Sequence, residues 1–184
     1  MANVQKALLG GGCFWCMESD FEKLEGVTDV ISGFTGGTLK NPTYNGNHKG
    51  HYEAVEVTYD ADVVGYEKLV DVFWHSVDPV DAGGQFCDRG DSYRTAVFYK
   101  TEEQKRIAGA SKAAIDASGV LPKKIVTPIL PAGRFYKAEA YHQGYYQSDK
   151  LVLTRFGPVT KATAYKKYRK GCGRDARLKQ LSGA

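Results

Sequence analysis

The 184-residue chain reads as an α+β protein, an α/β two-layer arrangement in which helices flank a small mixed β-sheet. Three observations predict this. Strand-like and helix-like apolar patterns follow one another in the order β-α-β-β-α-β-α-β, which implies one sheet with helices packed against it. Hydrophobic content of 42% and charged content of 25% belong to an ordinary globular chain long enough to bury a core. No internal repeat and no second domain can be found. The expectation is a single domain over 1–150 with a ferredoxin-like or αβ-roll core. An irregular basic tail, 151–184, follows and carries Cys172.

The elements can be justified in order. Ala7-Leu8-Leu9 reads as a buried strand, and Gly10-Gly11-Gly12 gives the backbone freedom for a tight turn. A helix follows from Cys13 to about Leu24. Cys13, Phe14, Met17, Phe21 and Leu24 fall within an arc roughly 100° wide, a core-facing stripe. Trp15 lies opposite, with Glu18 and Glu22, and Cys16 lies on a third side near Asp20 and Lys23. An aromatic on a polar face beside a thiol suits a pocket wall; it equally suits packing under a neighbouring loop.

Val30 to Phe34 reads as a second strand, and a long turn-rich loop holding Asn41-Pro42-Thr43-Tyr44 runs on to Gly50. From His51 to Asp60 the residues alternate, which puts Glu53 on the same face as Val55 and Val57. A carboxyl on an apolar face loses hydration, its pKa rises, and it becomes a proton donor near neutral pH. The competing reading puts Glu53 at the strand end, partly wet and paired to a base.

Gly65 to Val77 carries Leu69, Val70, Phe73, Trp74 and Val77 at helical spacing, so Trp74 belongs to the core. A glycine-rich loop from Asp81 to Ser92 holds Cys87 and Asp88, and Tyr93 leads into the strand Thr95–Tyr99. Thr101 caps a helix running to Ser118. Ile125 to Leu130 reads as a last strand, and Pro128, which lacks a donor, puts it at an edge or gives it a bulge. Ala138 to about Gln147 reads as a short helix, and no periodicity is evident beyond it.

No apolar run approaches a membrane span, and the N-terminus lacks the pattern of a signal peptide, so the expected location is the cytoplasm. From Thr160 to Ala184 eight Lys/Arg stand against one Asp, a net of +7. Such a tail can meet nucleic acid, but with Tyr165 and Tyr168 as its only aromatics it reads better as a solvated extension.

Four cysteines in a reducing compartment suggest redox chemistry, a metal or simple burial. Zinc would need Cys87 and Cys172 to join Cys13 and Cys16, and neither has a paired ligand beside it. A thioredoxin-like disulfide catalyst leaves Phe14, Trp15 and Glu53 unexplained. The third reading is a catalytic thiol with its own resolving thiol: Cys13, at a helix N-terminus, is acidified by the helix's partial positive end. Cys87 reads as a small apolar side chain in a loop.

Gly12-Cys13-Phe14-Trp15-Cys16 resembles the signature of the A-type peptide methionine sulfoxide reductases. Gly33-Phe34-Thr35-Gly36-Gly37, Asn41-Pro42-Thr43-Tyr44, Gly50-His51-Tyr52-Glu53-Ala54-Val55, Gly84-Gln85-Phe86-Cys87-Asp88-Arg89-Gly90 and Tyr141-His142-Gln143 resemble further blocks of that family, in family order. Many members have Gly where Cys16 stands; this chain resembles the subset with a thiol there.

The resemblance implies reduction of methionine-S-sulfoxide, free or in proteins. Cys13 is then the nucleophile and Glu53 the acid. Tyr44 and Tyr93 are donors to the oxygen, Asp88 orients them, and Phe14 and Trp15 hold the S-methyl group. Cys13 becomes a sulfenic acid, Cys16 resolves it first, Cys172 is a possible second relay, and thioredoxin restores the thiols. No cofactor, metal, nucleic acid or membrane is implied, and the expected state is a monomer.

Overall fold

Strand β1 (Val4–Gly11) is central because both of its faces are apolar: Ala7 and Leu9 point one way, Leu8 the other, and all three are fully buried. The computed structural model describes residues 2–155 and 157–182. Around β1 lie α1 (Phe14–Phe21), β2 (Val27–Thr35), β3 (Tyr52–Asp60), α2 (Tyr66–Ser76), the short pair β4 (Gly84–Gln85) and β5 (Asp88–Arg89), and β6 (Thr95–Tyr99). There follow α3 (Glu102–Ser118), β7 (Ile129–Pro131), β8 (Tyr136–Lys137), β9 (Leu151–Thr154), β10 (Gly157–Thr160), α4 (Lys161–Gly171) and α5 (Arg174–Leu181).

Six strands form one sheet in the order β7-β6-β1-β3-β2-β8. Its middle, β6-β1-β3-β2, is antiparallel throughout and is the ferredoxin-like arrangement; β7 adds in parallel to β6, which makes the sheet mixed. The register sets Leu9 opposite Val55 and Phe34 opposite Glu53. The α+β class expected from the pattern is therefore the class observed.

One sheet face packs against α1 and α2 through Phe14, Met17, Phe21, Val30, Val55, Val57, Leu69 and Phe73. Fully burying each such side chain contributes about 1.5–3 kcal/mol. The opposite face is thinner, with Leu8, Tyr52, Ala54, Ala96 and Phe98 under Leu130, Ala132 and Phe135.

Several expectations are corrected. The helix expected from Cys13 to Leu24 ends at Phe21, and Cys13 is its N-cap residue. The strand placed at 125–130 forms only at Ile129–Pro131: Pro128 lacks a donor, and the preceding backbone turns away so that Val126 N donates to the Pro79 carbonyl. The helix expected over 138–147 is two 3-10 turns, Ala140–His142 and Tyr145–Gln147, separated by Gly144 in the left-handed region at φ 59°.

The tail is not irregular. β9 and β10 pair as a hairpin and α4 and α5 follow, with the Thr160 side chain accepting from Thr163 N at the start of α4. Its apolar stripe is narrow (Tyr165, Tyr168, Cys172 at helical spacing), and Lys and Arg around it mask the period. Its cations turn partly inward: Arg169 pairs with Asp20 at 2.7 Å, and Arg177 with Asp78 at 2.7 Å. Arg174, 2% exposed, donates to the carbonyls of Ser76 (2.7 Å) and Gly11 (3.1 Å). Among the described residues no helix is long and apolar enough to cross a membrane.

Candidate active site

The turn from β1 into α1 presents Cys13. Gly12 makes the turn at φ +79°, and a Cβ there would stand 2.6 Å from the Gln85 Cβ. Gln85 is fixed in turn: its amide accepts from Asp78 N and donates to the Asp78 and Gly84 carbonyls, all at 2.8 Å. The glycine-rich loop carrying Asp88 and Tyr93 is thereby clamped against the thiol. The loop after β2 is held by the buried His51 ring, which accepts from Gly37 N (3.3 Å) and donates to the Leu39 carbonyl (2.8 Å). Tyr44 N donates to Glu139 at 3.2 Å.

These elements enclose a cavity of about 40 Å³ lined by Cys13, Phe14, Trp15, Tyr44, Glu53, Asp88, Tyr93 and Tyr168. A single water takes up roughly 30 Å³ in the liquid, so the cavity admits the head of a side chain rather than a whole amino acid. Seven of these eight residues are those singled out in the sequence. The eighth, Tyr168, comes from α4; its hydroxyl donates to Asp88, and it lines the cavity together with Cys13.

Glu53 is 1% exposed, on the helix-covered face of β3. Burial pushes its carboxyl up to about 8, against the opposing hydrogen bond from Phe14 N at 3.1 Å. Its other oxygen, Oε1, has no partner. A neutral carboxyl with an unengaged oxygen facing a cavity can donate a proton there. Tyr44 is pushed up to about 12, and Tyr93 further, by burial and by the nearby Glu53, so both are hydroxyl donors at neutral pH.

The thiols depart from expectation. Burial raises Cys13 well above an ordinary thiol, although it caps α1. Cys16 is the acidified one, lowered to about 7 by a hydrogen bond with Cys13 and by the charges of Arg174 and Arg169. At Cys13, burial and the neighbouring Cys16 sulfur outweigh the partial positive end of α1.

Cys16 and Glu18 sit on faces of α1 that its phase leaves to solvent, yet each is 1% exposed. The 3-10 turn at 145–147 and α4 cover them: Cys13 and Cys16 cluster with Tyr145 and Tyr165, and Gly144 N donates to Glu18 at 2.7 Å. Burial holds Glu18 up at about 7. Trp15 is a pocket wall, stacked on Tyr145 with ring centroids 3.9 Å apart. The buried His142 ring packs on Tyr44 at 4.4 Å, and Gln143 pairs with the Ser32 backbone of β2 at 2.9 Å in both directions.

Cys87 is not a bland loop residue; it is joined to Cys172 by a disulfide, while Cys13 and Cys16 are free. Cys172 is therefore paired outside the cavity. Cys87, Asp88 and Cys172 lie within ligand distance of one another, but with both sulfurs in the disulfide they offer a metal ion no thiolate.

A family model for peptide methionine sulfoxide reductases matches residues 5–172. The chain belongs to that family. A peptide methionine sulfoxide reductase MsrA of Listeria monocytogenes is 54% identical over 151 residues, 80% of this chain and 85% of that protein. One from Bacillus velezensis is 47% identical over 175 residues, 94% of this chain and 92% of that protein. Among solved structures, methionine sulfoxide reductase A of Corynebacterium diphtheriae superposes with a TM-score of 0.68 at 31% identity, covering 79% of this chain and 74% of that one. Reduced Mxr1 of Saccharomyces cerevisiae gives 0.69 at 28% identity, covering 78% and 84%. The reductase described here is an oxidoreductase that converts methionine sulfoxide to methionine.

Proposed function

We propose that the cavity around Cys13 is where the S epimer of methionine sulfoxide, free or in a protein, is reduced. The observation that carries this reading is the pairing of a buried thiol with a buried, protonated carboxyl across one small aromatic-walled space. Phe14 and Trp15 receive the S-methyl group, a task for which ring faces and edges favourable to sulfur are suited. Tyr44 and Tyr93 donate to the sulfoxide oxygen, and Asp88 orients that network through its neighbours.

Cys16, ionised near neutral pH, takes the Cys13 proton as the Cys13 sulfur attacks the sulfoxide sulfur. Glu53 gives its proton to the oxygen, because oxide is a poor leaving group unprotonated. Methionine departs and Cys13 is left as a sulfenic acid. The Cys16 thiol then attacks it, an S–S bond forms, and the hydroxyl leaves as water.

Thioredoxin is the proposed reductant. Mxr1, which shares this fold, has been solved in complex with Trx2. In this reading residues 1–150 hold the catalytic machinery, and 151–184 form an extension docked on it. The reductase works as a cytoplasmic monomer without metal, membrane or nucleic acid; the inward pairing of Arg169, Arg174 and Arg177 supports a structural use of the tail's charge.

The test is an NADPH-coupled thioredoxin assay on the two sulfoxide epimers separately, with the wild type and Cys13→Ser. Turnover of the S epimer alone, abolished in Cys13→Ser, is expected. Turnover surviving in that variant would remove Cys13 from the reaction.

A further inference from the structure

At about 40 Å³ the cavity around Cys13 holds the head of one side chain, so the rest of a substrate polypeptide has to lie outside it. Two of its walls, Trp15 and Tyr168, are shared with an open groove of about 890 Å³. Pockets of roughly 300–1,000 Å³ hold drug-sized ligands, so this groove has room for a short peptide segment. It is bounded by the β9–β10 hairpin on one side, through Thr154, Arg155 and Val159, and by α4 on the other.

We propose that this groove binds the segment of a substrate protein that flanks the oxidised methionine, and that Arg155, Lys167 and Lys170 make it selective for acidic residues close to the sulfoxide. The proposal rests on the reading of the Cys13 cavity as the site of reduction, and it names the class of substrate which that site serves.

The groove is continuous with the cavity. Ala164, Lys167, Tyr168 and Gly171 stand at i, i+3, i+4 and i+7, so one face of α4 lines the groove and the same face delivers Tyr168 to the cavity. Trp15, Tyr145, Val159 and Ala164 give the groove an apolar lining on which a peptide's side chains can lie. The charged groups beside them are all cations, Arg155, Lys167 and Lys170, each exposed, and no acid is among the described residues that line the groove. Arg169, Arg174 and Arg177, by contrast, turn inward to Asp20, the Ser76 carbonyl and Asp78.

The helix also sets where along the substrate the acids fall. Lys167 immediately precedes Tyr168 and Lys170 follows two residues after it, so both lie within one helical turn, about 5.4 Å, of the ring that walls the cavity. An extended chain advances about 3.3–3.6 Å per residue, so the side chains that meet these lysines belong to the first to third neighbours of the oxidised methionine. Free methionine sulfoxide has no flanking chain to lay along the apolar lining, which makes an oxidised acidic segment the better substrate.

The test is single-turnover methionine formation with no reductant present, on protein with Cys13 and Cys16 free and Cys87 joined to Cys172 as in the structure. Docking of a reductant then cannot enter the readout. The probes are three short peptides of one length with methionine-S-sulfoxide at the centre: one with Glu at the two neighbours on each side, one with Lys there, and one with the Glu residues moved to the ends. At low ionic strength the second-order rate for the first should exceed that for the second about tenfold and that for the third about threefold. Salt at about 1 M, where the screening length is about 3 Å, should reduce the first ratio to about twofold. The Arg155→Gln/Lys167→Gln/Lys170→Gln variant should show about the same collapse at low salt; a ratio between two peptides on one protein does not depend on the fraction that folds. Wild-type rates within twofold for all three peptides overturn the groove assignment and leave reduction at Cys13 standing. A triple variant that keeps the Glu preference also overturns it, and a fall in that variant's thioredoxin-supported turnover then gives the groove to the reductant. If Cys13→Ser reduces the peptides, the cavity reading fails first and the groove assignment with it.

Discussion

Replacing Glu53 by Gln should change activity and stability in opposite directions, and both changes can be sized from its burial. Holding a carboxyl at about 8 instead of 4.5 corresponds to about 5 kcal/mol of preference for the neutral form. Because the folded-state pKa is raised, the folded protein keeps its proton while the unfolded chain loses one as pH passes 4.5. The contribution is fully present below about 4.5, declines through the interval to about 8, and is gone above it. Gln cannot ionise, so the Glu53→Gln variant should match the wild type within about 1 kcal/mol near pH 4. It should exceed the wild type by up to about 5 kcal/mol above pH 8. Urea unfolding across pH 4 to 9 reads this.

Activity should move the other way. A lost general acid costs about 10²–10⁴ in rate. Single-turnover methionine formation by the wild type should rise as the Cys13–Cys16 pair ionises near 7 and fall as Glu53 loses its proton near 8, the two limits belonging to the coupled site. The variant should be slow and lack the falling limb. A variant within threefold of the wild type at pH 7, or one that keeps the falling limb, refutes the reasoning.

Two further substitutions probe the supports of the site. Gly12→Ala places a methyl group 2.6 Å from the Gln85 Cβ at φ +79°, so a loss of about 1–3 kcal/mol in urea unfolding and a slower single turnover are expected. Arg174→Met strips the buried carbonyls of Gly11 and Ser76 of their shared donor, which should cost about 2–5 kcal/mol. The same change removes a cation that lowers the Cys16 thiol, so the pH dependence of thiolate absorbance near 240 nm should shift upward from about 7.

The sheet and the inner site were legible because they obey local rules. Alternation in β3 places Glu53 with Val55 and Val57, and all three are buried on the helix-covered face. The core stripe of α2 reads directly, including Trp74, whose indole donates to Ser111 at 3.0 Å. What did not read locally depends on chain far away. Tyr168 enters the cavity from about 75 residues beyond Tyr93 in sequence, a separation no periodicity reports. The Cys87–Cys172 bond spans 85 residues and joins a turn to a helix end, so each cysteine by itself looks isolated.

The faces of α1 explain why the same residues misled the charge argument. A helix lying on a sheet normally leaves about half its circumference to water, and Cys16, Glu18 and Glu22 fit that expectation by phase. Here the tail supplies a second layer: Tyr146 donates to Glu22 at 2.5 Å, Arg169 pairs with Asp20, and Tyr165 packs beside Cys16. With α1 covered on both sides, the inner thiols gain a dry, arginine-flanked setting in which one of them ionises at neutral pH, and they lose direct access to solvent. The layer that tunes the thiols is the same one that shuts a protein reductant out.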